Sequence, residues 1–139
     1  ESGGICWYAP EAIGEILVNI PKLRDQFVTV LCSFIKEEPF ERGVHRALSR
    51  MARFAPDTLA DMPSNLIESL DDPDPVIRGH ACEILGLLRA GMAEDKLESL
   101  KDDKTEYKCY DFGTRELVRI SVGDAASEAL VALSREDGR

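Results

Sequence analysis

The two histidines, His45 and His80, are candidates for metal binding. Imidazole nitrogens bind transition metals, so the pair could hold a metal ion together with distant carboxylates. Such a site would form only through folding, because no motif joins the two residues in sequence. His80 lies among apolar residues with helical spacing, where a packed histidine is the simpler interpretation. The histidines therefore predict no metal site.

The thiols are Cys6, Cys32, Cys82 and Cys109, and their spacing does not match a compact zinc site. With no signal peptide visible, reduced cytoplasmic thiols are expected rather than a disulfide framework. Cys32 and Cys82 fall on apolar stripes and are predicted to pack as small hydrophobic residues. Cys109 lies outside any helical pattern and is the thiol to test for reactivity, although no histidine is near it in sequence to activate it.

Glu11 and Glu15 lie one helical turn apart and could act as an acid–base pair, although two such glutamates more often form a solvated face. The chain has no phosphate-binding loop, no G-x-S-x-G turn and no dinucleotide fingerprint. We therefore predict no catalytic residue, no cofactor and no metal. An enzymatic role is left open but is the less favoured alternative.

The 139 residues carry 17 basic and 26 acidic side chains, for a net charge of −9. Nucleic-acid binding needs cations to neutralise phosphates, so this balance argues against a nucleic-acid partner. No apolar run approaches the roughly 20 residues of a membrane span. We expect a cytoplasmic protein with no membrane partner. The chain begins at Glu1 rather than at methionine, which is compatible with a piece of a longer protein.

Apolar residues recur with helical spacing along most of the chain, as in an all-α protein. A kink is expected at Pro10, Ser64 should cap the fourth helix, and Gly91 should end the fifth. An aspartate ahead of Pro75 should supply that fifth helix with its N-cap oxygen. The predicted helices span Ile5–Ile20, Pro21–Lys36, Phe40–Ala55, a short stretch after Pro63, Asp72–Ala90, Met92–Lys101 and Val122–Ser134.

One pattern repeats in alternate helices, with apolar residues at i, i+3, i+4 and i+7. It spans Ala9–Ile16, Val44–Met51, Ala81–Leu88 and Ala126–Leu133. In the first three sets a small residue follows position i+4 (Gly14, Ser49, Gly86), which would let a neighbouring backbone approach closely. Repeated helix pairs of this kind stack into an α–α superhelix, here of about four pairs. Chance similarity between amphipathic helices is the alternative.

The last two of these sets lie farther apart in the sequence than the others do, because a segment, residues 104–122, is inserted between them. Polar and apolar residues largely alternate there, and Gly113 stands at a suitable turn position. The segment predicts a small β-hairpin insertion before the last helix, or otherwise an extended loop. We expect one domain over residues 1–139 that includes this insertion.

The pattern resembles the HEAT-like repeat family, in particular the short repeats grouped with phycobilisome lyases. Asp72-Pro-Asp-Pro-Val-Ile-Arg78, followed by Ala81 and Leu85-Gly86, is similar to the family's D-x-x-x-V-R…A…L-G signature. The sequence from Gly123 to Leu130 is similar to its closing A-x-x-A-L. The resemblance is sharp from Asp72 to Leu133, whereas the third helix lacks a clean acidic–Val–Arg opening.

The resemblance implies a helical solenoid in which Asp72 or Asp74 caps a helix and bonds Arg78. Some enzymes of this kind hold iron through His–Glu pairs, but arginine follows His45 and alanine follows His80. The family also includes lyases that attach a bilin to a phycobiliprotein, so a chromophore-handling protein is one alternative. A DNA glycosylase on helical repeats is a second alternative, which the charge of −9 disfavours.

The favoured prediction is a non-catalytic scaffold that holds another protein in a concave groove formed by the second helix of each pair. Trp7 would cap the exposed end of the solenoid or anchor a partner. The identity of the partner and the oligomeric state stay open. The candidate partner-binding residues are Trp7, Lys22, Arg24, Asn65, Lys96, Phe112 and Arg115.

Overall fold

The computed structural model describes residues 8–111 and 113–135, which form seven α-helices and one antiparallel pair of strands. The chain divides into two compact units, an N-terminal unit of Glu1–Ala60 and a C-terminal unit of Asp61–Arg139. The elements are α1 (Ala9–Asn19), α2 (Arg24–Ser33), α3 (Glu41–Phe54), α4 (Pro63–Ile67), α5 (Pro75–Leu87), α6 (Glu94–Leu100), β1 (Glu106–Asp111), β2 (Glu116–Ser121) and α7 (Val122–Ser134). Short 3-10 turns precede or follow several of the helices. The expectation of a helical protein with a hairpin before its last helix is confirmed.

In the N-terminal unit, α1 packs against α3 along a line of close backbone approach. A Cβ atom built on Gly14 would lie 2.7 Å from the Cβ of Ala47, which is too close for a real contact. Leu17 of α1 and Leu48 of α3 are both fully buried. The helices can therefore sit this close because position 14 has no side chain.

In the C-terminal unit, α5 packs against α7 in the same way. A Cβ atom on Gly86 would lie 2.7 Å from the Cα of Ala129. Gly14 and Gly86 hold the same position in their sets, and so do Ala47 and Ala129. The predicted function of the small residue, close approach of a neighbouring helix, is thus seen at two separate interfaces.

The start of α5 follows the sequence prediction, but its end does not. Asp74 is the N-cap, and its side chain accepts a hydrogen bond from the backbone N–H of Val76 at 3.0 Å. The helix ends at Leu87, and Arg89 then takes a positive φ of 54°. Gly91 was expected to stop this helix, and that expectation is wrong, because Arg89 supplies the left-handed residue and Gly91 begins the next 3-10 turn.

Two further local expectations are corrected near the second and fourth helices. The segment predicted as one helix over Pro21–Lys36 is a 3-10 turn over Pro21–Leu23 followed by α2, which ends at Ser33. Ser64 does not cap α4, because α4 begins at Pro63, one residue before it, and has no side-chain cap. Proline occupies the first position of α4, where no hydrogen-bonded N–H is needed.

The inserted segment forms the predicted hairpin, in which β1 pairs antiparallel with β2. Its two ends meet, because the N–H of Val122 donates to Thr105 O and that of Gly123 donates to Asp103 O. Tyr107 is 5% exposed and packs on α5, where a Cβ atom on Gly79 would lie 2.1 Å from its ring. The ring of Tyr107 therefore packs the hairpin on α5 at Gly79.

Candidate functional site

Two of the predicted partner-binding residues lie on adjoining segments of the C-terminal unit. Asn65 lies on α4 and is exposed, while Lys96 lies on α6 and pairs with Asp71, which belongs to the 3-10 turn after α4. Met92, at the turn that leads into α6 and contacts α4, is 65% exposed. We call this surface, formed by Asn65, Asp71, Met92 and Lys96, the second-helix face.

Lys22 and Arg24 belong to the N-terminal unit and differ in their exposure and in their contacts. Lys22 is exposed on the 3-10 turn before α2. Arg24 is half-buried, and its guanidinium donates to the carbonyl of Leu17 at 2.6 Å and of Val18 at 2.7 Å. These carbonyls lie in the last turn of α1, where the helix leaves its acceptors unsatisfied. Arg24 therefore holds the end of α1 in place.

Arg115 is exposed at the tip of the hairpin and takes a positive φ of 62°. Asp111 orders this tip, because its carboxylate accepts hydrogen bonds from the N–H groups of Gly113 at 2.7 Å and Thr114 at 3.1 Å. The remaining two candidates, Trp7 and Phe112, lie outside the described residues.

The outward face of the hairpin combines apolar and basic side chains. Tyr110 and Leu117 stand opposite each other and are 46% and 67% exposed. Lys108 stands opposite Arg119. Glu106 lies on the same face as Lys108, and its carboxylate is 3.8 Å from the guanidinium of Arg119.

Both histidines are buried and bond the backbone of their own helices. The Nδ1 atom of His45 is 2.7 Å from Glu41 O, and that of His80 is 2.8 Å from Val76 O. Since a carbonyl only accepts, each Nδ1 carries the proton. The ring of His80 also packs beside Tyr107, with 5.5 Å between centroids. Across residues 8–111 and 113–135, no three metal-binding side chains come together.

The cysteines in the described residues differ in exposure. Cys82 is fully buried on α5, and burial raises the pKa of its thiol to about 12. Burial also raises the pKa of Cys32, to about 11. Thiolates are therefore scarce at both positions at neutral pH. Cys109 is half-buried in β1, beside the ring of Tyr107, whose own pKa is raised by burial.

Glu11 and Glu15 both face arginines of α3. Glu15 forms a bidentate pair with Arg50, at 2.7 and 3.0 Å, and this hydrogen bonding lowers the pKa of Glu15 against the opposing effect of desolvation. Glu11 lies 3.6 Å from Arg46, while its Oε1 is buried with no hydrogen-bond donor. Both glutamates thus connect α1 to α3 through ion pairs.

Arg78 links α5 to the segment before the hairpin. Its guanidinium lies 3.0 Å from the carboxylate of Asp103 and donates to the carbonyls of Asp72 at 2.9 Å and Pro73 at 3.0 Å. The resemblance implied that the side chain of Asp72 or Asp74 would bond Arg78. Asp74 caps the helix as implied, but the carboxylate paired with Arg78 belongs to Asp103.

Electrostatics around Asp103 favour its ionised form. Burial acts to raise the pKa of its carboxyl group, but hydrogen bonds from Thr105 and the charge of Arg78 outweigh it and lower the pKa below its ordinary value. The side chains of Arg78 and Asp103 are only 14% and 19% exposed. The pair is thus well shielded and joins two distant parts of the C-terminal unit.

The sequence missed one feature, an exposed apolar surface on α1 and α2. Phe27 of α2 and Phe34, directly after α2, are 38% and 41% exposed. Ile16 of α1 and Ile20, directly after α1, are 46% and 39% exposed. The signal for this surface is the number of apolar residues between Pro21 and Lys36, because Leu23, Phe27, Val28, Leu31, Phe34 and Ile35 form a wider stripe than one neighbouring helix can cover.

No helix within the described ranges has the length and apolar character needed to cross a membrane. Comparison of the chain with protein-family models gives no match, and neither do comparisons with curated proteins and with solved structures. The class that the fold defines is a mostly helical protein with paired helices and one hairpin insertion.

Proposed function

We propose that this chain is a non-catalytic helical-repeat scaffold that binds another protein through the second helices of its repeats. The observation that carries the proposal is the repeated contact between a glycine and the alanine of the following set. Gly14 meets Ala47, and Gly86 meets Ala129, in the same relation. Two interfaces with one geometry support a repeat architecture, and such arrays present extended binding surfaces.

The second-helix face supplies chemistry that suits a protein partner. Met92 is a flexible apolar side chain that can adapt to a partner surface. Asn65 and Lys96 bring hydrogen-bond donors to the same face, and Asp71 adds a carboxylate. Protein interfaces typically combine apolar and polar side chains of these kinds.

Affinity capture with the tagged protein, in extracts of its own source, tests this function. The variant combines Asn65→Ala, Met92→Ala and Lys96→Ala. We expect it to retain about a tenth or less of the partner that the unchanged protein retains, since a few central side chains dominate most interfaces. The matched control is Lys101→Ala, which removes a lysine from a different side of the same segment.

Thermal unfolding of both variants separates loss of binding from loss of folding. The three substituted side chains are exposed or half-buried, so the melting temperature should stay close to that of the unchanged protein. If the triple variant and the control capture equal amounts of the partner, the partner does not bind at the second-helix face. An absorbing ligand that copurifies with the protein would refute the scaffold and favour the chromophore-handling alternative.

A further inference from the structure

We draw no further inference here: the strongest candidate, the exposed apolar surface on α1 and α2, carries none, because nothing within residues 8–111 and 113–135 shows what covers it.

Discussion

Substitution of Gly79 by alanine should release the hairpin from α5. The added Cβ atom would lie 2.1 Å from two ring carbons of Tyr107 and 2.6 Å from its hydroxyl oxygen. Carbon atoms in contact are ordinarily about 3.5–4.0 Å apart. The ring must therefore retreat by about 1.5 Å, and since Tyr107 is only 5% exposed, its surroundings must move with it.

The expected cost combines two opposing effects. Overpacking typically costs about 1–3 kcal/mol, and this contact belongs at the upper end because a ring carbon, not a flexible chain end, is displaced. Alanine in place of glycine within a helix raises the free energy of unfolding by about 1 kcal/mol. We therefore expect Gly79→Ala to lower the free energy of unfolding by about 2 kcal/mol.

Urea unfolding followed by far-ultraviolet circular dichroism measures this change, and near-ultraviolet circular dichroism reports the environment of Tyr107. The matched control is Gly91→Ala, because a Cβ atom at Gly91 has nothing within 4 Å. A Tyr107→Ala background removes the ring, so there Gly79→Ala should instead stabilise the protein by about 1 kcal/mol.

Two results would refute this reasoning. One is a Gly79→Ala protein as stable as the unchanged protein, with the same near-ultraviolet spectrum. The other is a penalty that persists in full in the Tyr107→Ala background. The ring of Tyr107 would then not be the group that requires glycine at position 79.

Three further predictions concern buried and half-buried groups of the C-terminal unit. Leu85 is fully buried, so Leu85→Ala should lower the free energy of unfolding by about 2–5 kcal/mol in urea titrations; a cost near zero would mean that the site is not core. Asp103→Asn should cost about 2 kcal/mol at neutral pH, since hydrogen bonds between charged groups are lost. The pKa of Asp103 is lowered in the folded state, so its contribution to the free energy of unfolding is present above the ordinary carboxyl pKa and is lost as the pH falls through the folded value. The stability of Asp103→Asn should therefore fall less steeply in acid than that of the unchanged protein. An equally steep fall would contradict this. Cys82, with its pKa raised to about 12, should resist alkylation at pH 8 and react only in denaturant, as read by mass spectrometry; rapid labelling of the native protein would contradict its burial.

Local signals predicted the fold best. The cap at Asp74 depends on an aspartate next to a proline, and the bounds of α7 were predicted as Val122–Ser134 because the helical pattern begins directly after the strand. The hairpin was visible from alternation of polar and apolar residues over a short stretch. Each of these features is decided by neighbours in the sequence.

Long-range partners were not predictable in the same way. Arg78 pairs with Asp103, which lies 25 residues along the chain, and several nearby aspartates offered equally good partners in one dimension. Leu31 and Phe27 both lie on the apolar side of α2, yet only the packed structure shows that Leu31 is covered and Phe27 is exposed. Among the candidate partner-binding residues, Arg24 was expected to be an exposed polar residue of a second helix, but it is half-buried because the chain turns after α1 and brings it to the carbonyl of Leu17.

The meeting of the hairpin's two ends has an evolutionary consequence. Because Val122 and Gly123 bond directly to Thr105 and Asp103, a repeat without the hairpin could pass from Thr105 to α7 with little change in its backbone. Gly79 is needed only while Tyr107 lies over it. A lineage that lost the hairpin would be released from glycine at position 79, and alanine there would then be favoured in the helix. The hairpin and a glycine at position 79 should therefore be present together, or absent together, in related chains.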